Sequence, residues 1–245
     1  MISDSYSRFE WTGDLADIEN AIYNNQRAVE LTPPGHADLP ARLRNLGNSF
    51  ESRFEHTGDL AGIENAISNT QRAVELTPVG HANLSACLNN LGNSCGSRFE
   101  RTGDLADIEN AISNKQCAVE FTPPGHATLP SYLNLGISFQ SRFEQTGDLA
   151  DIENAISNQQ RAVELTPPGH ADLPAHLNNL GSSFKSRFEW TGDLADIENA
   201  ISNTQRAVEL TPLGHSNLSA CLNNLGNSCG PVWVSLRKDW RPRRH

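Results

Sequence analysis

The chain is 245 residues long, with a formal net charge of −10 and 37% hydrophobic residues. This balance is typical of a folded chain and excludes a disordered one, and no stretch approaches the roughly 18 apolar residues that a membrane-spanning helix needs. The opening MISDSYSRFE lacks the basic start and apolar core of a secretory signal, so we expect a cytoplasmic or nuclear protein without a membrane partner. The odd number of cysteines, five, argues against a disulfide framework, and we expect free thiols.

One string is repeated along the whole chain. SRFExTGDL begins at five positions whose separations are 45, 45, 44 and 45 residues: Ser7, Ser52, Ser97, Ser141 and Ser186. A fixed period of this length is the signature of stacked supersecondary units. We therefore predict a repeat array over residues 1–230, with its units joined near residues 12, 57, 102, 146 and 191.

Each unit reads as two helices, and the first is predicted from about Leu39 to His56 in the second copy. Its apolar residues are separated by four, three, four and four positions, which places them on one helical face: Leu39, Leu43, Leu46, Phe50 and Phe54. One column directly before this helix holds side chains that can cap free helix N–H groups: Asp38, Asn83, Thr128, Asp172 and Asn217.

The second helix is predicted from about Leu60 to Leu76. Its apolar positions also share one face: Leu60, Ile63, Ile67 and Val74. Thr-Gly-Asp before this helix supplies a turn and an aspartate cap, with Asp17 three residues after Asp14 resembling a capping box. Leu-Thr-Pro-Pro-Gly ends the helix, because proline stops its propagation. No segment alternates with period two, so strands are not expected.

These residues resemble the tetratricopeptide repeat family. Its signature is a Leu-Gly pair, an aromatic residue, two alanines seven apart and a closing proline, which correspond here to Leu46-Gly47, Phe50, Ala66, Ala73 and Pro78. The resemblance implies an all-α fold, a right-handed α-solenoid of about five helix-turn-helix units, in which Gly47 lets the paired helix approach closely. The long unit resembles fungal arrays that precede a caspase-like CHAT domain and, more loosely, kinesin light chains.

One column departs from the family pattern, which has a large apolar residue four positions after the first alanine. Here the column is polar: Asn25, Thr70, Lys115, Gln159 and Thr204. Either the array is loosely packed in this layer, or its longer helices bury the position differently.

The resemblance also implies a ligand site, because first helices in this family line a concave groove that holds an extended peptide. Carried over by position from Leu46-Gly47 and its copies, the groove residues are mostly asparagines: Arg44, Asn45, Asn48, Asn89, Asn90, Asn93, Asn134, Asn178, Asn179, Asn223, Asn224 and Asn227. An amide offers both donors and an acceptor, which suits a peptide backbone. The alternative is that asparagine is a tolerated polar residue copied by recent duplication.

The remaining patterns point away from catalysis and cofactors. One column holds a histidine in every copy: His36, His81, His126, His170 and His215. A shared zinc ion is not expected, because packed helices lie about 8 to 10 Å apart and zinc ligands lie about 2 Å from the ion. We expect each histidine to make the same loop contact in its own copy. The acidic residues that open each second helix complement the helix dipole. No nucleotide loop, nucleophile elbow or catalytic carboxylate pair occurs, so we expect no enzyme activity and no cofactor.

The last 15 residues, PVWVSLRKDWRPRRH, depart abruptly from the repeat. Without them the repeats carry 14 basic and 28 acidic residues, a poor surface for nucleic acid. We expect residues 231–245 to form an unstructured basic tail, the product of a shifted reading frame or retained intron, with a nuclear address or nucleic-acid contact as the alternative.

The sequence as a whole favours a scaffold that binds peptide or protein segments. The second hypothesis is a regulatory fragment of a larger CHAT protease.

Overall fold

The computed structural model describes residues 15–122 and 129–239, and side chains within 15–122 and 131–229. Over these ranges the regular structure is entirely α-helical, as predicted, with ten helices: α1 (Leu15–Glu30), α2 (Leu39–Thr57), α3 (Leu60–Leu76), α4 (Leu84–Thr102), α5 (Leu105–Glu120), α6 (Leu129–Thr146), α7 (Leu149–Leu165), α8 (Leu173–Thr191), α9 (Leu194–Leu210) and α10 (Leu218–Asp239). We call the even-numbered helices A helices and the odd-numbered ones B helices. An A helix packs against the B helix that follows it, as α2 does against α3 and α8 against α9.

A tight turn joins each A helix to its B helix. The A helix α2 ends at Thr57, and Gly58 then takes a left-handed conformation (φ +71°), which glycine adopts without steric cost. Asp59 caps α3, because its carboxylate accepts a bond from Ala61 N–H at 3.2 Å. Equivalent caps recur at three later turns, at Asp104, Asp148 and Asp193. The predicted Thr-Gly-Asp caps are therefore confirmed in these four copies, whereas the turn near residue 12 and Asp14 lie outside the described residues.

The cap predicted for the A helices is wrong. Asp38, Asn83 and Asp172 precede their helices with right-handed backbone angles and make no side-chain cap bond. The histidine two residues earlier supplies the acceptor instead, as His36 Nδ1 receives the Asp38 N–H at 3.2 Å. The same contact recurs at His81, His170 and His215. The histidine column thus makes the repeated loop contact that we expected, while His126 and Thr128 lie outside the described residues.

The apolar face predicted for the A helix forms the core, since Leu39, Leu43, Leu46, Phe50 and Phe54 are all at most 8% exposed. The B-helix prediction is partly wrong. Leu60 is 44% exposed, and the small Ala66 and Ala73 fill the interior beside Ile63. Alanines at these positions bring the B-helix backbone close to its A helix, so that a larger side chain has no room between them.

The glycine of each A helix is the point of closest approach. A Cβ added to Gly47 would lie 2.6 Å from Thr70 Cγ2 and 3.2 Å from the carbonyl oxygen of Ala66. Corresponding polar side chains cover the other glycines: Lys115 on Gly92, Gln159 on Gly136 and Thr204 on Gly181. These residues, which we call the seat residues, are at most 5% exposed. At these four positions the polar column is therefore tightly packed against glycine, whereas Asn25 is half-buried and donates a hydrogen bond to Ser49 at 2.9 Å.

An arginine–aspartate clamp joins the A helix to the B helix near the turn of the hairpin. In α4 and α5, the guanidinium of Arg98 donates two bonds to the carboxylate of Asp107, at 2.8 and 2.5 Å. The same bidentate pair joins Arg142 to Asp151 and Arg187 to Asp196. Each of these aspartates is only 4% exposed, so the acidic start of the B helix does more than complement the helix dipole.

The hairpin of α2 and α3 lacks the clamp, because Gly62 replaces the aspartate. Arg53 reaches Glu19 and Asp59 at 3.3 and 3.6 Å instead, and its buried Nε has no hydrogen-bond partner. An added Cβ on Gly62 would make ordinary contacts, the nearest at 3.4 Å, so an aspartate fits the position.

We therefore expect Gly62→Asp to raise the free energy of unfolding by about 1 to 2 kcal/mol, through the completed clamp, the helix dipole and the loss of a helical glycine. Urea unfolding followed by circular dichroism measures the change. Gly62→Asn is the matched control, since it has the same shape without the charge. Equal stabilisation by both substitutions would contradict the clamp at this position.

The chain divides into two compact units, residues 1–134 (unit 1) and 135–245 (unit 2). In unit 1, α1, α2 and α3 share a core of Ile18, Phe50 and Ile63 with their neighbours. In unit 2, Leu173, Leu177, Ala207 and Cys221 pack together from three helices. The predicted free thiols are confirmed among the described residues.

The final helix extends into the segment that the sequence predicts to be an unstructured tail. Helix α10 runs to Asp239, so the backbone of residues 231–239 is helical and the prediction does not hold there. Adding residues to an existing helix is far easier than nucleating a new one, which accounts for the extension. Residues 240–245 lie outside the described residues.

Candidate functional site

The predicted ligand residues all lie on A helices, and we call the surface that they form the groove face. Nine of them are half-buried: Arg44, Asn48, Asn89, Asn90, Asn93, Asn134, Asn178, Asn179 and Asn224. Three are exposed: Asn45, Asn223 and Asn227. They divide between the two units, with the last of unit 1 at Asn134 and the first of unit 2 at Asn178.

Asparagines of neighbouring A helices bond to one another across the groove face. In unit 1, Asn90 Nδ2 donates to Asn48 Oδ1 at 3.0 Å, and Asn134 Nδ2 donates to Asn89 Oδ1 at 3.2 Å. In unit 2, Asn224 Nδ2 donates to Asn178 Oδ1 at 3.1 Å. We call these linked side chains the amide ladder. Each bond uses one of the two donors of an amide, so the ladder retains hydrogen-bonding capacity for a bound chain.

A second polar network lies further along the groove face of unit 1. Glu51 of α2 accepts hydrogen bonds from two serines of α4, Ser94 at 3.0 Å and Ser97 at 3.1 Å. Burial is the main reason that the pKa of Glu51 is raised to about 7, and the negative charge of Glu55 adds to the effect. Glu55 itself has a raised pKa, mainly through burial and then through the charge of Glu100. These carboxylates repel one another at the end of the groove face.

The side chain of the seat residue Lys115 extends from the B helix α5 to this network. Its side chain passes Gly92, and its Nζ lies 3.9 Å from where a Cβ of Gly96 would be. Burial lowers the pKa of Lys115 to about 8, although the charges of Glu51 and Glu100 favour the protonated amine. The ammonium therefore sits beside carboxylates that partly offset the loss of water.

Unit 2 has a different network at the equivalent positions. Gln140 takes the place of Glu51, and Ser183 donates to its Oε1 at 2.7 Å. The seat residue Gln159 donates to the same oxygen at 3.4 Å, while its own Oε1 is buried without a partner. Lys185 bonds to Glu189 at 2.5 Å, so a cation of the chain itself neutralises this carboxylate.

Sequence reasoning missed the carboxylate network and the clamps. The signal for the clamp is present, because an arginine of SRFE precedes an aspartate by nine residues in three of the described copies, such as Arg98 and Asp107. The signal for the network is Lys115, the only positive residue of the seat column.

Among the side chains that the structure describes, no group of histidine, cysteine and carboxylate residues could hold a metal ion, and no described helix is long and apolar enough to cross a membrane.

Comparison with known proteins gives structural relatives only. No family model matches the chain, and no curated protein matches it. Among solved structures, it resembles TTC0263, a thermophilic TPR protein of Thermus thermophilus, with a TM-score of 0.59 and 15% identity over 95% of this chain and 100% of that one.

Two further structures are similarly close. A putative kinesin light chain of Podosopora anserina, with nearly identical TPR-like repeats, matches at a TM-score of 0.58 and 12% identity over 84% of this chain and 93% of that one. BtubC (BKLC) of P. vanneervenii matches with a TM-score of 0.55 and 16% identity over 94% of each chain. Identities this low establish the fold alone. The chain has the all-α fold of a tetratricopeptide-repeat protein.

Proposed function

We propose that the chain is a non-catalytic scaffold that binds an extended peptide or protein segment along the groove face of its A helices. The observation that carries the proposal is the amide ladder. Half-buried amides such as Asn90 and Asn134 lie in series on adjacent A helices and retain donors and acceptors. A peptide backbone presents N–H and C=O groups at regular intervals along its length, so a row of amides can bond to it without selecting its side chains.

The packing of the hairpins supports a binding role rather than a purely structural one. The seat residues pack the A and B helices of a hairpin against each other, and in three of the described hairpins a clamp adds a second contact. The amides take no part in that contact, because the bonds of the amide ladder join neighbouring A helices to one another. A rigid row of polar groups pre-organised in this way binds with little further ordering of side chains.

The ladder can be tested with peptides selected from a phage library of random nonapeptides on the intact chain. The affinities of the selected peptides, carrying a fluorescent label, are then measured by fluorescence anisotropy. We expect Asn90→Ala and Asn178→Ala each to weaken binding by about fivefold to tenfold, the value of a hydrogen bond at an interface.

The matched controls are Asn65→Ala and Asn154→Ala. These asparagines are exposed on B helices, where their Nδ2 groups bond to the carbonyl oxygens of Ala61 and Ala150 in the same helix. Equal loss of binding in the ladder and control variants, or no loss in either, would overturn the groove proposal.

A second candidate is a regulatory repeat fragment of a CHAT-type signalling protease. The near-repetition of residues 57–96 by residues 191–230 motivates it, because the long-unit arrays that the sequence resembles are built from similar copies. Sequencing the transcript beyond the codon of Gly230 tests this candidate. Further repeats followed by an α/β domain with a histidine–cysteine pair would support it, and an early stop codon would exclude it.

A further inference from the structure

The groove face of unit 1 has a gap at a position where three other A helices carry a long side chain. Gly96 of α4 stands in the column that holds Glu51, Gln140 and Lys185 in α2, α6 and α8, whereas α10 has Gly230 there. An added Cβ at Gly96 would have only Lys115 Nζ within 4 Å, at 3.9 Å, so the space above the glycine is open.

Carboxylates stand on both sides of this gap. Glu51 and Glu55 are one helical turn apart on α2, and Glu100 is one turn beyond Gly96 on α4. Glu51 is fixed from the α4 side by Ser94 and Ser97. We call Glu51, Glu55 and Glu100 around Gly96 the acidic corner.

The chain itself shows that the acidic corner accepts an ammonium group. The Lys115 side chain extends from its B helix toward Gly96, and the charges of Glu51 and Glu100 stabilise its ammonium group. The pKa values of Glu51 and Glu55 are both raised, mainly by burial, and further by the charge of Glu55 on Glu51 and of Glu100 on Glu55. A second cation from the open side would relieve that repulsion.

We propose that the acidic corner binds the side chain of a lysine or arginine carried by the extended peptide, and so makes unit 1 selective for basic segments. The inference rests on the groove binding proposed above and adds the chemistry of the partner. Charge complementarity extends beyond the corner, since the whole chain has a net charge of −10. Unit 2 lacks the feature, because Gln140 replaces Glu51 and Lys185 neutralises Glu189.

The experiment compares three labelled nonapeptides on the intact chain at about 150 mM salt, where attraction between distant exposed charges is screened. The peptides alternate alanine with lysine, glutamine or glutamate. We expect the lysine peptide to bind on the order of tenfold more tightly than the glutamine peptide, and the glutamate peptide to bind most weakly.

Two triple variants separate the corner from the overall charge. Glu51→Gln with Glu55→Gln and Glu100→Gln should abolish the preference for lysine. The control, Glu75→Gln with Glu109→Gln and Glu120→Gln, changes the net charge equally at exposed B-helix positions and should preserve it. Gly96→Gln fills the gap with the side chain found at position 140, and should also abolish the preference with the carboxylates intact.

The acidity of the corner also predicts the pH dependence. The groups that face Glu51 are Glu55, Ser94, Cys95, Ser97 and Lys115. Raising the pH from about 6 to about 8.5 deprotonates Glu51 and then Lys115, and both changes make the corner more negative, while the peptide lysines stay charged. Affinity for the lysine peptide should therefore rise across this range, and affinity for the glutamine peptide should not.

The outcomes distinguish this inference from the groove proposal. Equal affinities for the lysine and glutamine peptides, both reduced by Asn90→Ala, would overturn the acidic corner and support the groove. Equal losses in the two triple variants would also overturn the corner, because bulk charge would then explain the binding. A lysine preference that only the corner triple variant and Gly96→Gln abolish supports the inference.

Discussion

Replacing Asp151 by alanine is expected to lower the free energy of unfolding by about 3 kcal/mol, the usual cost of removing one partner from a buried ion pair. The carboxylate is 4% exposed and accepts two bonds from Arg142, at 2.8 and 2.6 Å. Alanine would leave the guanidinium, itself only 27% exposed, without its main partner. Urea unfolding measured by circular dichroism gives the change in unfolding free energy.

The same helix provides a control for this substitution. Glu164 pairs with Arg161 at 3.0 Å, but both side chains are more than half exposed, so Glu164→Ala should cost less than about 1 kcal/mol. Replacing the clamp completely, by Arg142→Met with Asp151→Leu, should recover much of the loss, because no buried charge then remains unpaired. Equal costs for Asp151→Ala and Glu164→Ala would contradict a structural role for the clamp.

Gly181→Ala is expected to destabilise unit 2 by about 2 kcal/mol, although alanine is the better helix former by roughly 1 kcal/mol. The new Cβ would lie 2.6 Å from Thr204 Cγ2 and 3.1 Å from the carbonyl oxygen of Ala200. The helices must then separate, which loosens the core beneath. Thermal unfolding measures the change in stability. A loss of stability shows that close packing dominates, and a gain shows that helix propensity dominates.

Gly226→Ala is the matched substitution, because this glycine occupies the same column of α10 and has nothing within 4 Å of its added Cβ. It should stabilise the chain by up to about 1 kcal/mol. Adding Thr204→Ser to Gly181→Ala removes the clashing methyl group and should restore part of the stability. Stabilisation by Gly181→Ala alone would contradict the close approach of the helices at this glycine.

The sequence predicts those parts of the fold that depend on local pattern. The spacing of Leu43, Phe50 and Phe54 identifies the buried face of an A helix, since each helix buries one stripe whatever its partner. The caps at Asp59 and its copies are equally local. The chain also marks the glycine of each hairpin, because the family resemblance explains a glycine that propensity disfavours.

Features that join two helices were harder to predict. Arg98 and Asp107 each have a plausible local role, as an exposed base and as a residue favourable to the helix dipole, and only the fold brings them together. The histidine that replaces the expected cap also depends on the path of the loop. Lys115 is comparable, because its position beneath Gly96 follows from packing and not from its own helix.

The seat residues have a consequence for how near-identical copies find the correct neighbours during folding. Three clamps have the same chemistry, so they cannot prevent a B helix from pairing with the A helix of another copy, a characteristic failure of repeat proteins. Two of the four seats differ from the threonines Thr70 and Thr204, however. Lys115 extends toward the space above Gly96, and next to α8 it would face the ammonium of Lys185. Lys115 and Gln159 thus disfavour misassembly of their own hairpins, whereas the two threonines do not distinguish α3 from α9.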